Sequence, residues 1–369
     1  MSREANQRIS TLLEEDEAAR MLTHARTKAD ASKLQRLKCA GRLISPHRGL
    51  YVRPEAWSAL GERDRALHLM RTLSRRHPGW VFCDISAGAA HGLSVPLKSL
   101  SRLHILTPAH APTRSTDEIC RHASSARASV MVDGIRMTTL EETTFDCLRR
   151  MGLRDGLALA DSALRRLGLD DWERLADRVV VRHREETGLR KALAVLQLAD
   201  ARAESGGESI ARATMLELGF QAPRLQVEIE DPLNAGRSYR VDFLWTLPDG
   251  RRVVGELDGH EKYQNPAMMS GRSVVEVLAA ERLRESRLSA AGLTVMRFSY
   301  ADVCNLRFFE RLLEQYGIPR PGRPSRLRKP YREGWRALRL GKRTLRWKRD
   351  WPSPHPGSRA TSSRARAAG

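Results

Sequence analysis

None of the 369 residues falls in an apolar run as long as eighteen, so no membrane-spanning helix is expected. The opening MSREANQRIS has no apolar leader, so no secretory signal is expected and the cytoplasm is the expected compartment. The five cysteines, Cys39, Cys83, Cys120, Cys147 and Cys304, show no C-x-x-C spacing. Neither a zinc site nor a disulfide framework is therefore expected, only reduced thiols. There is also no internal repeat of fixed period. At this length the chain should divide into two or three domains, each with its own core.

Acids are scarce in one region, and that is where the charge lies. Between Arg320 and Gly369 there are sixteen Lys and Arg and only two acids, Glu333 and Asp350, which accounts for fourteen of the net +20. Such a tail attracts phosphate backbones by counterion release. Tyr331, Trp335, Trp347 and Trp351 interleave with the basic residues, the mixture that single-stranded nucleic acid uses for stacking. Arg326, Arg328, Lys329, Trp335 and Arg336 are the tail's candidate contacts, with DNA or RNA as the partner. A solvated, disordered tail over 319–369 is the expectation for its structure. A membrane surface is a weaker rival for the same charges.

Residues 8–53 read as helix, helix, helix and short hairpin. In DASKLQRLKCAGRL, Asp30 or Ser32 is the expected N-cap, Leu34, Leu37 and Ala40 share a face, and Gly41 ends the helix. LISPHRGLYVRP then supplies two short strands around a turn. This is the winged-helix pattern, in which the second helix can enter a major groove. Lys33, Gln35, Arg36 and Lys38 would be its polar face, with Arg48 in the wing; a solvated helix face has the same composition.

The stretch LQRLKCAGRLISPHRGLYV resembles the N-terminal winged helix of the AbiEi family, the antitoxins of type IV toxin–antitoxin systems. FCDISAGAAHGLSVP, LHILTP and MTTLEETTFDCLRR resemble that family's following α/β domain, so the similarity covers about residues 10–200. It implies DNA binding, often at the protein's own promoter, a possible toxin partner, and no catalysis.

In the middle segment WVFCDI and RLHILTP read as strands. ALHLMRTLSRR and TTFDCLRRMGLRDGLALADSALRRLG read as helices, and residues 170–200 as further helices. His91, beside Gly92, is expected to be a packed side chain rather than a ligand. Ser86, His91 and Asp84 are close in sequence, which is not evidence of a triad.

The C-terminal segment puts acids where a core wants apolar residues. AESGGESIARATMLELGF reads as a helix capped by Ser205, with Glu208 at N3 in a capping box and Gly219 at its end. LQVEIED is a strand. RVDFLWT and RRVVGELD flank the turn signal Pro248-Asp249-Gly250. If those three residues form the loop, Asp242 lies opposite Glu256, about 4.5–5.5 Å between Cβ atoms. Asp258 then points to the same face. Two such carboxylates repel by about 3 kcal/mol at roughly 5 Å and an effective dielectric of about 20. A shared proton, a bound Mg²⁺ or Mn²⁺, or an arginine lodged among them would relieve this. A helix over about Ser273 to Ala291 and a strand LTVMRFSY containing Arg297 complete a compact α/β unit.

That order resembles the PD-(D/E)XK nuclease superfamily, in particular very-short-patch-repair-endonuclease-like domains. V-D-F at 241–243, E-L-D-G at 256–259, R-E-S-R-L-S-A-A-G at 284–292 and V-M-R-F at 295–298 carry the similarity, over about residues 203–310. The resemblance implies Asp242 and Glu256 as metal ligands, Glu208 as the helix carboxylate, and hydrolysis of a DNA phosphodiester. The superfamily's lysine is here Asp258, a replacement that this branch also shows. Lys262 or Arg284 could supply the missing charge, and His260 could carry a proton. The expected fold class is therefore α/β multidomain: a winged helix at 1–55, an α/β domain at 56–200, a restriction-endonuclease-like mixed sheet flanked by helices at 201–318, and the basic tail. The competing reading is a non-catalytic, antitoxin-like regulator whose nuclease-like domain is degenerate.

Overall fold

The computed structural model describes residues 3–108, 115–124, 127–234, 236–258, 274–322, 337–340 and 344–347; side chains are described over 6–108, 115–124, 127–234, 236–258 and 281–322. Multidomain α/β architecture is what it shows, and among the described residues no helix is long and apolar enough to cross a membrane.

The N-terminal unit runs α1 (Arg3–Ala18), β1 (Thr23–His24), α2 (Lys28–Cys39), β2 (Ile44–His47) and β3 (Leu50–Val52), with strand order β1-β3-β2. Two helices stand where three were expected. Thr23 and His24 pair with Tyr51 and Leu50, so tertiary ladder bonds override the helical reading. The cap of α2 is Thr27, not Asp30 or Ser32. Its side chain accepts from Asp30 N at 3.1 Å, and Asp30 returns a bond from Thr27 N at 2.9 Å. Asp30 is thus the N3 partner of a capping box. Gly49, at φ +72°, makes the tight wing turn. Leu34 is fully buried against Ile9, Leu12, Leu13, Leu43 and Tyr51, whereas Ala40, expected on that face, is exposed.

The middle unit contains α3 (Pro54–Ser58), α4 (Glu62–Arg76), α5 (Asp84–Ala90), a 3-10 turn (Leu97–Ser101), β4 (Leu103–Pro108), β5 (Ile119–Ser124), β6 (Ser129–Val132), β7 (Ile135–Thr138), α6 (Leu140–Leu148), α7 (Leu153–Leu167), α8 (Trp172–His183) and α9 (Leu189–Leu196). β4 and β5 are parallel; β6 and β7 are antiparallel. The strand expected from WVFCDI reduces to one residue, Phe82, which bridges Ile105 and Met137. Asp84, at φ +52°, then turns the chain into α5. The long helix expected from TTFDCLRR onward breaks into α6 and α7, the second starting after Gly152. His91 is a packed residue, its Nε2 bonded to Thr138 O at 2.8 Å. Ser86 Oγ accepts from His104 N at 2.8 Å, so Ser86 supports a strand.

The C-terminal unit runs α10 (Gly206–Leu218), β8 (Arg224–Glu230), β9 (Ser238–Thr246), β10 (Arg252–Asp258), α11 (Val274–Ala290), β11 (Leu293–Ser299), α12 (Tyr300–Cys304) and α13 (Leu306–Gln315). Strand order is β11-β10-β9-β8, with β11 parallel to β10 and the other pairs antiparallel. One sheet face, with Phe243, Trp245, Val253, Met296 and Phe298, packs under Met215, Phe309 and Leu313. The other, with Val241, Leu244, Val254 and Leu293, packs on Leu288 of α11. A Cβ on Gly255 would lie 2.9 Å from the Trp245 ring, so only glycine lets that indole close over β10.

Helix α10 also lies against α7. Arg212 Nη2 binds Asp161 Oδ1 at 2.9 Å and Oδ2 at 2.8 Å, both side chains buried. The expected division near residue 200 therefore runs through a packed interface. In the tail, Ala337–Leu340 pairs antiparallel with Thr344–Trp347 as β12 and β13; these eight residues depart from the expectation of disorder.

Candidate active site

The hairpin has the expected three-residue loop. Leu247 N donates to Arg251 O at 2.8 Å, and Gly250 takes φ +86°. Arg252 pairs with Thr246 and Gly255 with Phe243, so the register points Asp242 at Glu256. The ladder stops there. Asp242 Oδ2 instead accepts from Leu257 N at 3.0 Å, a side chain taking a backbone acceptor's place.

The strand alternation assumed for β9 also breaks at this residue. Phe243 belongs to one face, while Val241 joins Leu244 on the other. Facing Asp242, Gln226 sits in the left-handed region at φ +50°, between the pairs Leu225↔Phe243 and Val227↔Val241. A non-glycine residue held there is strained. Its Nε2 donates to Glu208 Oε2 at 3.0 Å and to Asp242 Oδ1 at 3.4 Å. Gln226 therefore ties the helix carboxylate to the strand carboxylate. Ser205 caps α10 as expected, donor Glu208 N at 3.1 Å. Glu208 departs from the capping box: its Oε2 accepts from Glu204 N at 2.9 Å rather than from the cap residue.

Glu256 and Asp258 face α11 and β11, and each meets an arginine. Arg284 Nη1 and Nη2 bind the two Glu256 oxygens at 2.9 and 3.0 Å. Arg297, the register partner of Glu256 on β11, binds Asp258 through Nε at 3.0 and 3.2 Å and through Nη2, which also reaches Glu281 at 3.3 Å. Of the three ways to relieve the acids, arginine is present at two. Burial pushes the Glu256 carboxyl up; Arg284 opposes that, and the nearby Asp242 charge adds to it. Hydrogen bonding to Asp258 raises the Arg297 guanidinium above its ordinary value.

Of the remaining expected site residues, Lys262 and His260 lie outside the described residues, as do Arg326, Arg328, Lys329, Trp335 and Arg336. In the N-terminal unit, Arg36, Lys38 and Arg48 are exposed and Lys33 is half-buried. Gln35 accepts from Tyr51 OH at 3.4 Å, which ties α2 to the wing.

One further group escaped the sequence reading. His104 of β4 and Cys120 and His122 of β5 bring one ligating atom each to within 4.8 Å of the others, the one such trio among the described residues. The signal was C-x-H in a strand, which puts both side chains on one face. The partner strand's histidine is not visible in spacing.

No family model matches the chain, and no solved structure matches it. Two uncharacterised proteins from two strains of Mycobacterium tuberculosis are similar to it, each 29% identical over 223 residues, which is 60% of this chain and 75% of theirs.

Proposed function

We propose that this chain is a cytoplasmic DNA-binding protein whose C-terminal unit hydrolyses phosphodiesters with a divalent metal. The carrying observation is the strained Gln226, which holds Glu208 and Asp242 on one amide beside Glu256. Strain of this kind persists where surrounding structure imposes it, and it gathers at functional sites.

The donors are hard carboxylate oxygens, which suit Mg²⁺ or Mn²⁺. The Asp242 charge raises Glu256, a repulsion that a cation between them would relieve; the three carboxylates do not converge as closely as the His104 trio, so Arg284 has to leave Glu256 for them to close on an ion. Asp242 and Glu256 would hold it, with Glu208 contributing directly or through water. A cation bound there would polarise a phosphate oxygen and lower the pKa of a water ligand. Arg284, released from Glu256, would stabilise charge growing on the phosphate, a role that Lys262 could share. Asp258 would orient the attacking water. Lys33, Arg36, Lys38 and Arg48 would hold duplex DNA, and the basic tail would add salt-dependent affinity.

A second reading has its own support. Arg284 and Arg297 already neutralise Glu256 and Asp258, as they would in a domain kept only for packing. On that reading the chain is an antitoxin-like transcriptional regulator, with a toxin as possible partner. Incubation with single- and double-stranded DNA in Mg²⁺ or Mn²⁺ separates the two. Cleavage that Asp242→Ala and Glu256→Ala abolish supports the hydrolase. Operator binding with no cleavage of any substrate supports the regulator.

A further inference from the structure

The parallel pair β4–β5 presents His104, Cys120 and His122 on one face. His104 is the register partner of Cys120, and His122 follows one pleat along, opposite Leu106. The core side of the pair is taken by Leu103, Ile105 and Ile119. His104 Nδ1 lies 2.9 Å from His122 Nε2, with the rings stacked at 5.0 Å. One ligating atom from each of the three residues lies within 4.8 Å of the other two.

We propose that this trio is a site for a borderline-soft divalent metal, Zn²⁺ by preference, with an open fourth position. Two imidazole nitrogens and one thiolate are a donor set that zinc accepts and Mg²⁺ does not. Metal–nitrogen bonds of about 2.0–2.1 Å in a tetrahedral site separate two nitrogens by roughly 3.3 Å. The histidine pair needs to open only by about 0.4 Å to reach that geometry. Backbone bonds already fix the strand that carries His104: His104 N donates to Ser86 Oγ at 2.8 Å, and Cys83 N donates to His104 O at 3.0 Å. The site is reachable, since the His104 side chain keeps 16% of its exposure.

Asp84 stands at the fourth side, its Oδ2 3.9 Å from His104 Nδ1 and bound by Arg150. Its backbone lies in the left-handed region, φ +52°. Asp84 can accept a bond from a metal-bound water there, which would orient that water. Arg150 would otherwise repel a cation, but its charge is offset by Asp84. Three protein ligands and a water are the arrangement of zinc sites that do chemistry rather than staple a fold. The inference is independent of the acidic site in the C-terminal unit, which takes hard oxygen-seeking ions.

The test is titration of the chelator-stripped full-length chain with Co²⁺, a spectroscopic stand-in for zinc. The expected result is one equivalent bound, with thiolate-to-cobalt charge-transfer absorption that Zn²⁺ displaces and Mg²⁺ does not. Cys120→Ser should remove the charge-transfer band, and His122→Gln should weaken Co²⁺ binding about 10-fold or more. A Cys39→Ser, Cys304→Ser double variant, lacking the two exposed thiols, should keep the band. The proposal is overturned if wild type shows no charge-transfer band, or if the band survives Cys120→Ser or disappears in the Cys39, Cys304 double variant. His122→Gln with undiminished affinity also overturns it.

Discussion

Arg284 grips both oxygens of Glu256, at 2.9 and 3.0 Å, and its Nη2 also donates to Arg240 O at 2.5 Å. One guanidinium thus ties α11 to β10 and β9, and it occupies the charge position that a bound cation would need. Arg284→Met should lower stability by about 1–2 kcal/mol, because it strands an acid that is mostly buried while the lost arginine was partly solvated. The same variant should bind Mn²⁺ more tightly than wild type, since the competing cation is gone. Thermal unfolding with and without Mn²⁺ measures both, because a ligand of the native state raises the midpoint by mass action. A variant destabilised equally with and without Mn²⁺ would favour the packing-only reading.

Gln226 is argued to position Glu208 and Asp242, not to touch substrate. Gln226→Ala should therefore raise the Mn²⁺ concentration needed for half-maximal cleavage by about 10-fold, the cost typical of an outer-shell partner. The rate at saturating Mn²⁺ should change less. Gln226→Gly should behave likewise while easing the backbone strain at φ +50°. An unchanged Mn²⁺ requirement in both variants would remove Gln226 from the site.

In the middle unit, Arg127 holds Glu186 with two bonds of 2.7 Å and also meets the buried Glu142 and Asp146. Burial pushes the Glu186 carboxyl up, but the bonds from Arg127 and His183 outweigh that and hold it from 4.5 down to about 2. A depressed carboxyl contributes stability that is complete above its unfolded value and is lost as pH falls through the folded one. Stability should thus decline between pH 4.5 and about 2, and Glu186→Gln should flatten that decline. Arg127→Met removes one of several cations around these acids, since Asp146 and Glu186 keep Arg149 and Glu142 keeps Arg182, and should cost about 1–3 kcal/mol at neutral pH. Denaturant midpoints across pH report both.

The buried pair Asp161 and Arg212 joins α7 to α10. Either Asp161→Leu or Arg212→Met alone should destabilise by about 3–5 kcal/mol. The double variant should recover much of this. It should not recover all, because Asp200 N donates to Asp161 Oδ1 at 2.8 Å and losing that acceptor costs about 1–3 kcal/mol. A double-mutant cycle in urea shows the coupling; additive losses would mean that the two side chains do not act as a pair.

What could be read from the sequence was local. Pro248-Asp249-Gly250 announced a three-residue turn, and the turn fixed the register that aims Asp242 at Glu256. Gly41 and Gly219 marked helix ends because each takes positive φ. The parity break at Asp242 was invisible, since it arises from a strained residue on the neighbouring strand. Arg284 and Arg297 were visible as residues but not as partners of Glu256 and Asp258, because an α-helix and a crossover strand bring them back. WVFCDI misled for a related reason. Its apolar run suits a strand, yet Asp84 and the small residues after it turn into a helix packed on β4. The trio of His104, Cys120 and His122 needs two parallel strands to exist at all.

The most direct measurement is the rate of DNA cleavage in Mn²⁺ by wild type and by Asp242→Asn, which keeps shape and the Leu257 hydrogen bond while removing the charge and the acceptor for Gln226. The account predicts metal-dependent cleavage by wild type, absent with chelator, and a fall of at least about 100-fold in the variant, the upper end of what losing even an outer-shell partner costs. Equal rates in the two proteins, or no cleavage by wild type of any single- or double-stranded DNA, would contradict it.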